Sequence, residues 1–335
     1  MKQKQKQASP TFSARTDLAI EAAALAGADA QATPPEGVAI TTTEGEGYTL
    51  THVHIHSPAG SEQMGKPIGH YITLESERLK EPDAAYHEQL IALLAEQIRF
   101  LAKPAPKDCI LVAGLGNWNI TPDALGPKAV SKLLVTRHLQ GTLPEEITAA
   151  TRPVAAISPG VMGITGIETG EILKGVVDKL HPSLLIAIDA LAARHSRRIN
   201  AAIQLSDTGL APGAGVGNPR QMLNAESLGI PVLAIGVPTV VDAATLVNDT
   251  MDRILGEMSQ KTPQGSPFYE MLGSLAQEEK YELIRNILDP YTENLFVTPK
   301  EVDAVIDRLS GLIANSINIA LHPGITLKDI NKYLF

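Results

Sequence analysis

Two rhythms of apolar and polar positions divide the chain. From Gly37 to about Leu74 the pattern is strand-like. Ile40 is followed by Thr41, Thr42 and Thr43, and THVHIH alternates strictly before LESERLKEPD breaks it, predicting an antiparallel layer. Residues 85 to 103 place Leu90, Leu93, Leu94, Ile98 and Leu101 on one helical face. After Pro106 short unbroken apolar runs alternate with amphipathic stretches: CILVAG, TPDALGPKAVSKLLVTRHL, PVAAISPG, TGEILKGVVDKL and SLLIAIDAL. Strands without polar interruption are buried on both faces, and helices between them make the sheet parallel. INAAIQL and PVLAIGV predict two further strands, and VVDAATLVNDTMDRILGEM a helix. The fold class is α/β: a mostly parallel sheet with helices on both faces and an extra antiparallel β layer.

The two ends carry their own signals. MKQKQKQASP cannot bury enough apolar area to offset ordering and predicts a flexible tail. ARTDLAIEAA follows, with Thr16 or Asp17 as N-cap of a helix through Leu18, Ile20, Ala23 and Leu25. Thr298-Pro299-Lys300-Glu301 predicts a capping box opening the last helix, which runs to about Leu321. The stretch around residues 261 to 267 predicts a surface connection, and no internal repeat is present.

The 335 residues are long for one domain, so one elaborated domain or two are allowed. A net charge of -9 argues against nucleic-acid binding. The single cysteine, Cys109, rules out an intramolecular disulfide and opens an apolar run, as a buried inert thiol would. No apolar segment of signal-peptide form follows the charged start, and no run of about 18 apolar residues suggests a membrane span, so a cytoplasmic protein without membrane partners is expected.

Ligand sites of α/β sheets lie beyond the carboxyl ends of the strands. The polar residues there are Asp123 after CILVAG, Asp189 after LLIAI, and Ser206 and Asp207 after INAAIQL. Asp123 also reads as the acid in the first turn of a helix that starts at Thr121-Pro122. Asp189 also reads as an ion-pair partner of Arg194 or Arg197. A carboxylate ending such an apolar strand is expected to be desolvated, with a raised pKa. Two of them together could share a proton, one acting as general base on a water and the other as general acid toward an amide.

Other features lead less far. Gly114-Leu115-Gly116 lacks the third glycine of a dinucleotide fingerprint, because position 119 is Asn119, so no cofactor is expected. His52, His54 and His56 share one face of a strand, which suits either zinc or solvent. SPGVMGITGIETGE and GLAPGAGVGNPR could shape a cleft for an extended backbone, and they lack the Lys-Ser/Thr of a phosphate loop. Ser158, Ser196 and Ser206 have no nucleophile-elbow pattern.

ARTDLAIEA, GKPIGHYITLE, GLGNWNITPDALGP, IDALAAR, QLSDTGLAPGAGVGN and GIPVLAIGVPTVVDA together resemble the spore germination endopeptidases, over about residues 14 to 320. The resemblance implies an enzyme that degrades the small acid-soluble proteins coating spore DNA, made as a zymogen, assembled as a homotetramer and located in the spore core. It implies a fold similar to the hydrogenase-maturation peptidases, which use carboxylates with a metal, and Asp123 and Asp189 as the catalytic pair; neither cofactor nor metal is expected here, with a metal-assisted variant left open. It further implies self-cleavage at Asp17-Leu18. Residues 1–17 would be a propeptide, 18–335 one α/β peptidase domain, and Asp17, Leu18, Ala19 and Glu21 a copy of the substrate pattern. A metal-dependent peptidase using the same aspartates and a non-catalytic peptide-binding protein are the alternatives.

Overall fold

The computed structural model describes residues 17–25, 34–105, 107–142, 144, 150–214, 220–261 and 295–333. Its centre is one mixed sheet in the order β1-β2-β3-β7-β8-β6-β4-β5, with β9 pairing to β8. The strands are β1 (Val38–Gly45), β2 (Tyr48–Ile55), β3 (Gly69–Glu75), β4 (Ile110–Gly114), β5 (Val154–Ile157), β6 (Leu184–Ala193), β7 (Ala202–Ser206), β8 (Val232–Asp242) and β9 (Phe296–Val297). β5, β4, β6 and β8 are parallel, while β7, β3, β2 and β1 continue the same sheet antiparallel. The α/β class holds, and the antiparallel layer is an extension of the sheet rather than a separate one.

Alternation along the central strands supplies both faces. Ile110 and Val112 of β4 and Ile186 and Ile188 of β6 face the helices Ala84–Ala102 and Val302–Leu321. Leu111, Ala113, Leu185 and Ala187 face the helix Thr169–Leu180 through Leu173 and Val177. Period-two side chains on a sheet covered on both sides give these uninterrupted apolar runs. Val302–Leu321 is long and apolar enough to cross a membrane by length and composition, but 67% of its most apolar window is buried, as suits a core helix. On the antiparallel extension, Val53, Ile55 and Tyr71 pack against Ala19, Ala22 and Ala23 of the helix Ala19–Leu25.

Several local expectations yield to tertiary contacts. The capping box does not form: Thr298 donates its hydroxyl to the Thr239 carbonyl at 3.0 Å, and the helix starts at Val302 with no side-chain cap. Val240, Val241 and Asp242 belong to β8, so the next helix begins at Ala243. Thr121–Asp123 is a short 3-10 turn, in which Thr121 donates to Asp303 rather than capping. Cys109 is partly exposed. The tail and the stretch 262–267 lie outside the described residues.

Candidate active site

Past the carboxyl end of β4 and beside the second half of β6 lies a cavity of about 870 Å³ whose lining includes Asp17, Asp123 and Asp189. Asp189 stands within β6, opposite Gly236 of β8, and is 6% exposed. Its Oδ1 accepts from its neighbour's N–H, that of Ala190, at 2.9 Å. Among the described residues, Asp189 makes no ion pair with Arg194 or Arg197; Arg198, buried nearby, pairs with Glu21 at 3.1 Å and Glu75 at 2.7 Å. Burial, reinforced by the negative charges of Asp123 and Asp17, raises the Asp189 pKa well above the usual carboxylate range.

Asp123 is brought in by close backbone packing. The following helix, Leu125–Val130, sits against β4 and β6 at Gly126, where a Cβ would come within 2.6 Å of the Ile188 carbonyl oxygen. Gly116 has φ +109, and a Cβ there would meet the Asp123 carbonyl oxygen at 2.0 Å. That carbonyl accepts from Asn117 N at 3.1 Å. Burial pushes the Asp123 carboxyl up to about 6, against a smaller opposing effect of the Asn117 N–H. The site thus holds two carboxyls that burial keeps closer to neutral than ordinary aspartates.

A third carboxyl belongs to the N-terminal segment. Asp17 does not cap its own helix; its Oδ2 accepts from Ala192 N at 3.1 Å, beside the register shift of β6 between Leu191 and Ala192. Its backbone carbonyl accepts from Lys66 Nζ and from Gln204 Nε2, each at 3.1 Å. Leu18 and Ala19 are fully buried, and Ala19 N donates to Gln204 Oε1 at 2.6 Å. Glu21 accepts from Arg194 N at 3.0 Å, His195 N at 3.3 Å and Arg198 Nη1 at 3.1 Å. Burial raises the Asp17 pKa, opposed by the Ala192 amide and by Lys66.

The two Gly-rich loops form walls of the cleft, through Gly160, Met162 and Thr169 from one and Pro212, Gly213 and Arg220 from the other. The remaining strand-exit residues lie elsewhere. Ser206 bonds Thr208 at 2.7 Å, and Asp207 accepts from His70 N at 2.7 Å. His52 and His54 do share a face. His52 Nε2 is 2.9 Å from His70 Nδ1, and His54 stacks on His70 at 4.0 Å between centroids. Among the described residues, no group of three or more His, Cys, Asp or Glu is arranged to hold a metal ion. Lys66, Gln204 and Arg198 were not singled out by sequence. Gln204 alone left a trace there, as an amide inside the apolar run INAAIQL, where burial demands a partner.

These features define an α/β protein with a carboxylate-lined cleft at its strand ends. The family model for germination protease matches residues 16–269 and 257–334, and the chain belongs to the germination protease family. It is 51% identical over 275 residues to a germination protease of Clostridium perfringens, covering 82% of this chain and 85% of the relative. It is 48% identical to that of Clostridium tetani, covering 96% and 100%, and 45% identical to that of Bacillus subtilis, covering 82% and 83%. A NiFe hydrogenase maturation protease of Thermococcus kodakarensis superposes over 67% of this chain and 98% of its own, at a TM-score of 0.31 and 16% identity, too loosely to carry any argument. Family membership makes the chain a protease, a hydrolase of peptide bonds.

Proposed function

We propose that this chain is the zymogen of an endopeptidase that begins the breakdown of small acid-soluble spore proteins, with Asp123 and Asp189 as an acid/base pair and Asp17-Leu18 as the bond it cuts in itself. One observation carries the reading: Asp17 lines the same cleft as two buried carboxyls with raised pKa. At near-neutral pH, Asp123, at about 6, is the more readily ionised and takes the proton of the attacking water. Asp189 stays protonated and gives its proton to the Leu18 nitrogen as the carbon–nitrogen bond breaks. Because the two carboxyls interact, their apparent pKa values belong to the pair. Removal of residues 1–17 would leave one peptidase domain, 18–335. The spore core as location and a homotetramer as the assembled form complete the proposal. Light scattering on the purified chain checks the latter.

The deciding experiment is intact mass with N-terminal sequencing before and after incubation near pH 6, beside Asp189→Asn. Loss of residues 1–17 in the wild type alone supports the reading. Chelator inhibition reversed by added metal would instead favour a metal-dependent peptidase built on the same aspartates. A chain that binds substrate peptide but stays whole in every condition, while folded, would be a binding protein.

A further inference from the structure

The carbonyl of Asp17 is held in an unusual way for a loop carbonyl. Two side chains donate to its oxygen, Lys66 Nζ and Gln204 Nε2, each at 3.1 Å, so both lone-pair directions are in use. Gln204 is 8% exposed and accepts from Ala19 N at 2.6 Å with its other amide atom. One side-chain amide therefore bridges the peptide groups on either side of Leu18, accepting from one and donating to the other as a neighbouring strand would. This fixes the plane of the Asp17-Leu18 peptide relative to β7 and, through the bond from Asp17 Oδ2 to Ala192 N, relative to β6.

Resting on the reading of Asp17-Leu18 as the cleaved bond, we propose that Lys66 and Gln204 form the carbonyl-polarising site of this peptidase, an oxyanion hole that holds the carbonyl under attack. When water adds to the Asp17 carbon, the carbon–oxygen double bond gives its electron pair to the oxygen. The resulting negative charge lies between an ammonium and an amide donor. As the pair returns to re-form the carbonyl, the carbon–nitrogen bond breaks and the Leu18 nitrogen leaves with the proton supplied by the acid. Donors already aimed at the oxygen stabilise it more as its charge grows, and they need no rearrangement to do so. Lys66 is well placed for this role: burial works against its charge, while Asp17 and Glu21 beside it favour the ammonium. The same two donors would receive the carbonyl of a substrate protein once the N-terminal segment has vacated the site.

The test reads both chemistry and contact. Asp-Leu occurs once in the chain, at 17–18, so labelling Asp with carbonyl carbon-13 and Leu with nitrogen-15 isolates a single coupled resonance for the Asp17 carbonyl. In full-length Asp189→Asn, Lys66→Met and Gln204→Leu should each move that carbonyl upfield, as lost hydrogen bonds do. In the otherwise wild-type chain, each should slow cleavage at Asp17-Leu18 by about 10²–10³-fold, the usual effect of losing one oxyanion donor. Lys66→Arg, which keeps a cation, should recover part of the rate. Circular dichroism and melting curves identify variants that are folded. A carbonyl resonance unmoved in folded Lys66→Met and Gln204→Leu, or wild-type cleavage rates in both, overturns the oxyanion hole and leaves the zymogen reading standing. A wild type that cuts elsewhere, or not at all, overturns both.

Discussion

Asp123 and Asp189 illustrate what burial does to single residues. Both have raised pKa values in the fold, so the folded chain binds protons that the unfolded chain has already released. The sign follows: their contribution is most favourable in acid and is lost as pH rises. For Asp123 the penalty builds from 3.8 to about 6 and is complete above that, on the order of 3 kcal/mol at neutral pH. Asp123→Asn should therefore melt higher than wild type at pH 7, by several degrees, with the gain shrinking as pH falls below 6 and vanishing near 4, and Asp189→Asn should also melt higher at pH 7. Melting curves of wild type and variant at matched pH check this. Taking the difference between them cancels the opposite trend of His52 and His54, which burial and neighbouring imidazoles push down. A pair stabilised by ionisation would show the reverse order. In the proposed mechanism, the acid limb of the self-cleavage rate is tied to Asp123. Below about 6 the base is progressively protonated, so the rate should fall there, as a series of initial rates between pH 4.5 and 7.5 would show.

At the scale of elements, the site depends on how closely the turn Thr121–Asp123 and the helix Leu125–Val130 approach the sheet. Gly116→Ala combines a left-handed φ with a Cβ 2.0 Å from the Asp123 carbonyl oxygen, and the turn has to move to relieve it. The backbone strain amounts to about 1–3 kcal/mol, which a domain of this size tolerates. If Asp123 is the base as proposed, displacing it costs far more in rate, so Gly116→Ala should remain folded in a melting experiment and lose most of its peptidase activity. The strands and long helices were legible in the sequence because β4 and the first half of β6, residues 184 to 188, are apolar without interruption and Ala84–Ala102 has its apolar residues on one face. Asp123 and Asp189 were legible because a carboxylate following an unbroken apolar run has few reasons to be there, although Asp189 stands inside β6, which continues to Ala193, rather than at its exit. Local capping chemistry was misleading at Thr298 and Asp17, where a distant partner, Thr239 or Ala192, offers a better bond than the helix's own first turn. Lys66, in the loop before β3, and Arg198, one residue beyond Arg197, become neighbours of the N-terminal segment only through the fold.

Over the whole molecule, Arg198 ties three parts of the chain together. Its Nε donates to Glu75 at the end of β3, and its Nη1 donates to Glu21 of the N-terminal helix, while it ends the 3-10 turn Ser196–Arg198 that follows β6. The Arg198 and Glu21 side chains are 8% and 0% exposed, so neither charge is screened by water. Such a pair adds little over a well-packed apolar substitute, but removing one partner leaves the other as a buried, uncompensated charge. Arg198→Met should therefore cost about 3–5 kcal/mol, the range for one broken side of a buried pair. The loss should concentrate where Glu21 is held: the helix Ala19–Leu25 would release from Val53, Ile55 and Tyr71, because the buried carboxylate loses its guanidinium partner. Hydrogen exchange resolved by peptide should show residues 17–25 losing protection before the central strands, alongside a lower melting midpoint. The double variant Arg198→Met with Glu21→Gln should regain protection there, since a neutral amide does not need the guanidinium's charge. Recovery in the double variant, but not in Arg198→Met alone, would assign the coupling to this ion pair; equal exchange in all three proteins would show that apolar packing by Leu18, Ala19, Ala22 and Ala23 is sufficient to seat the segment in the cleft.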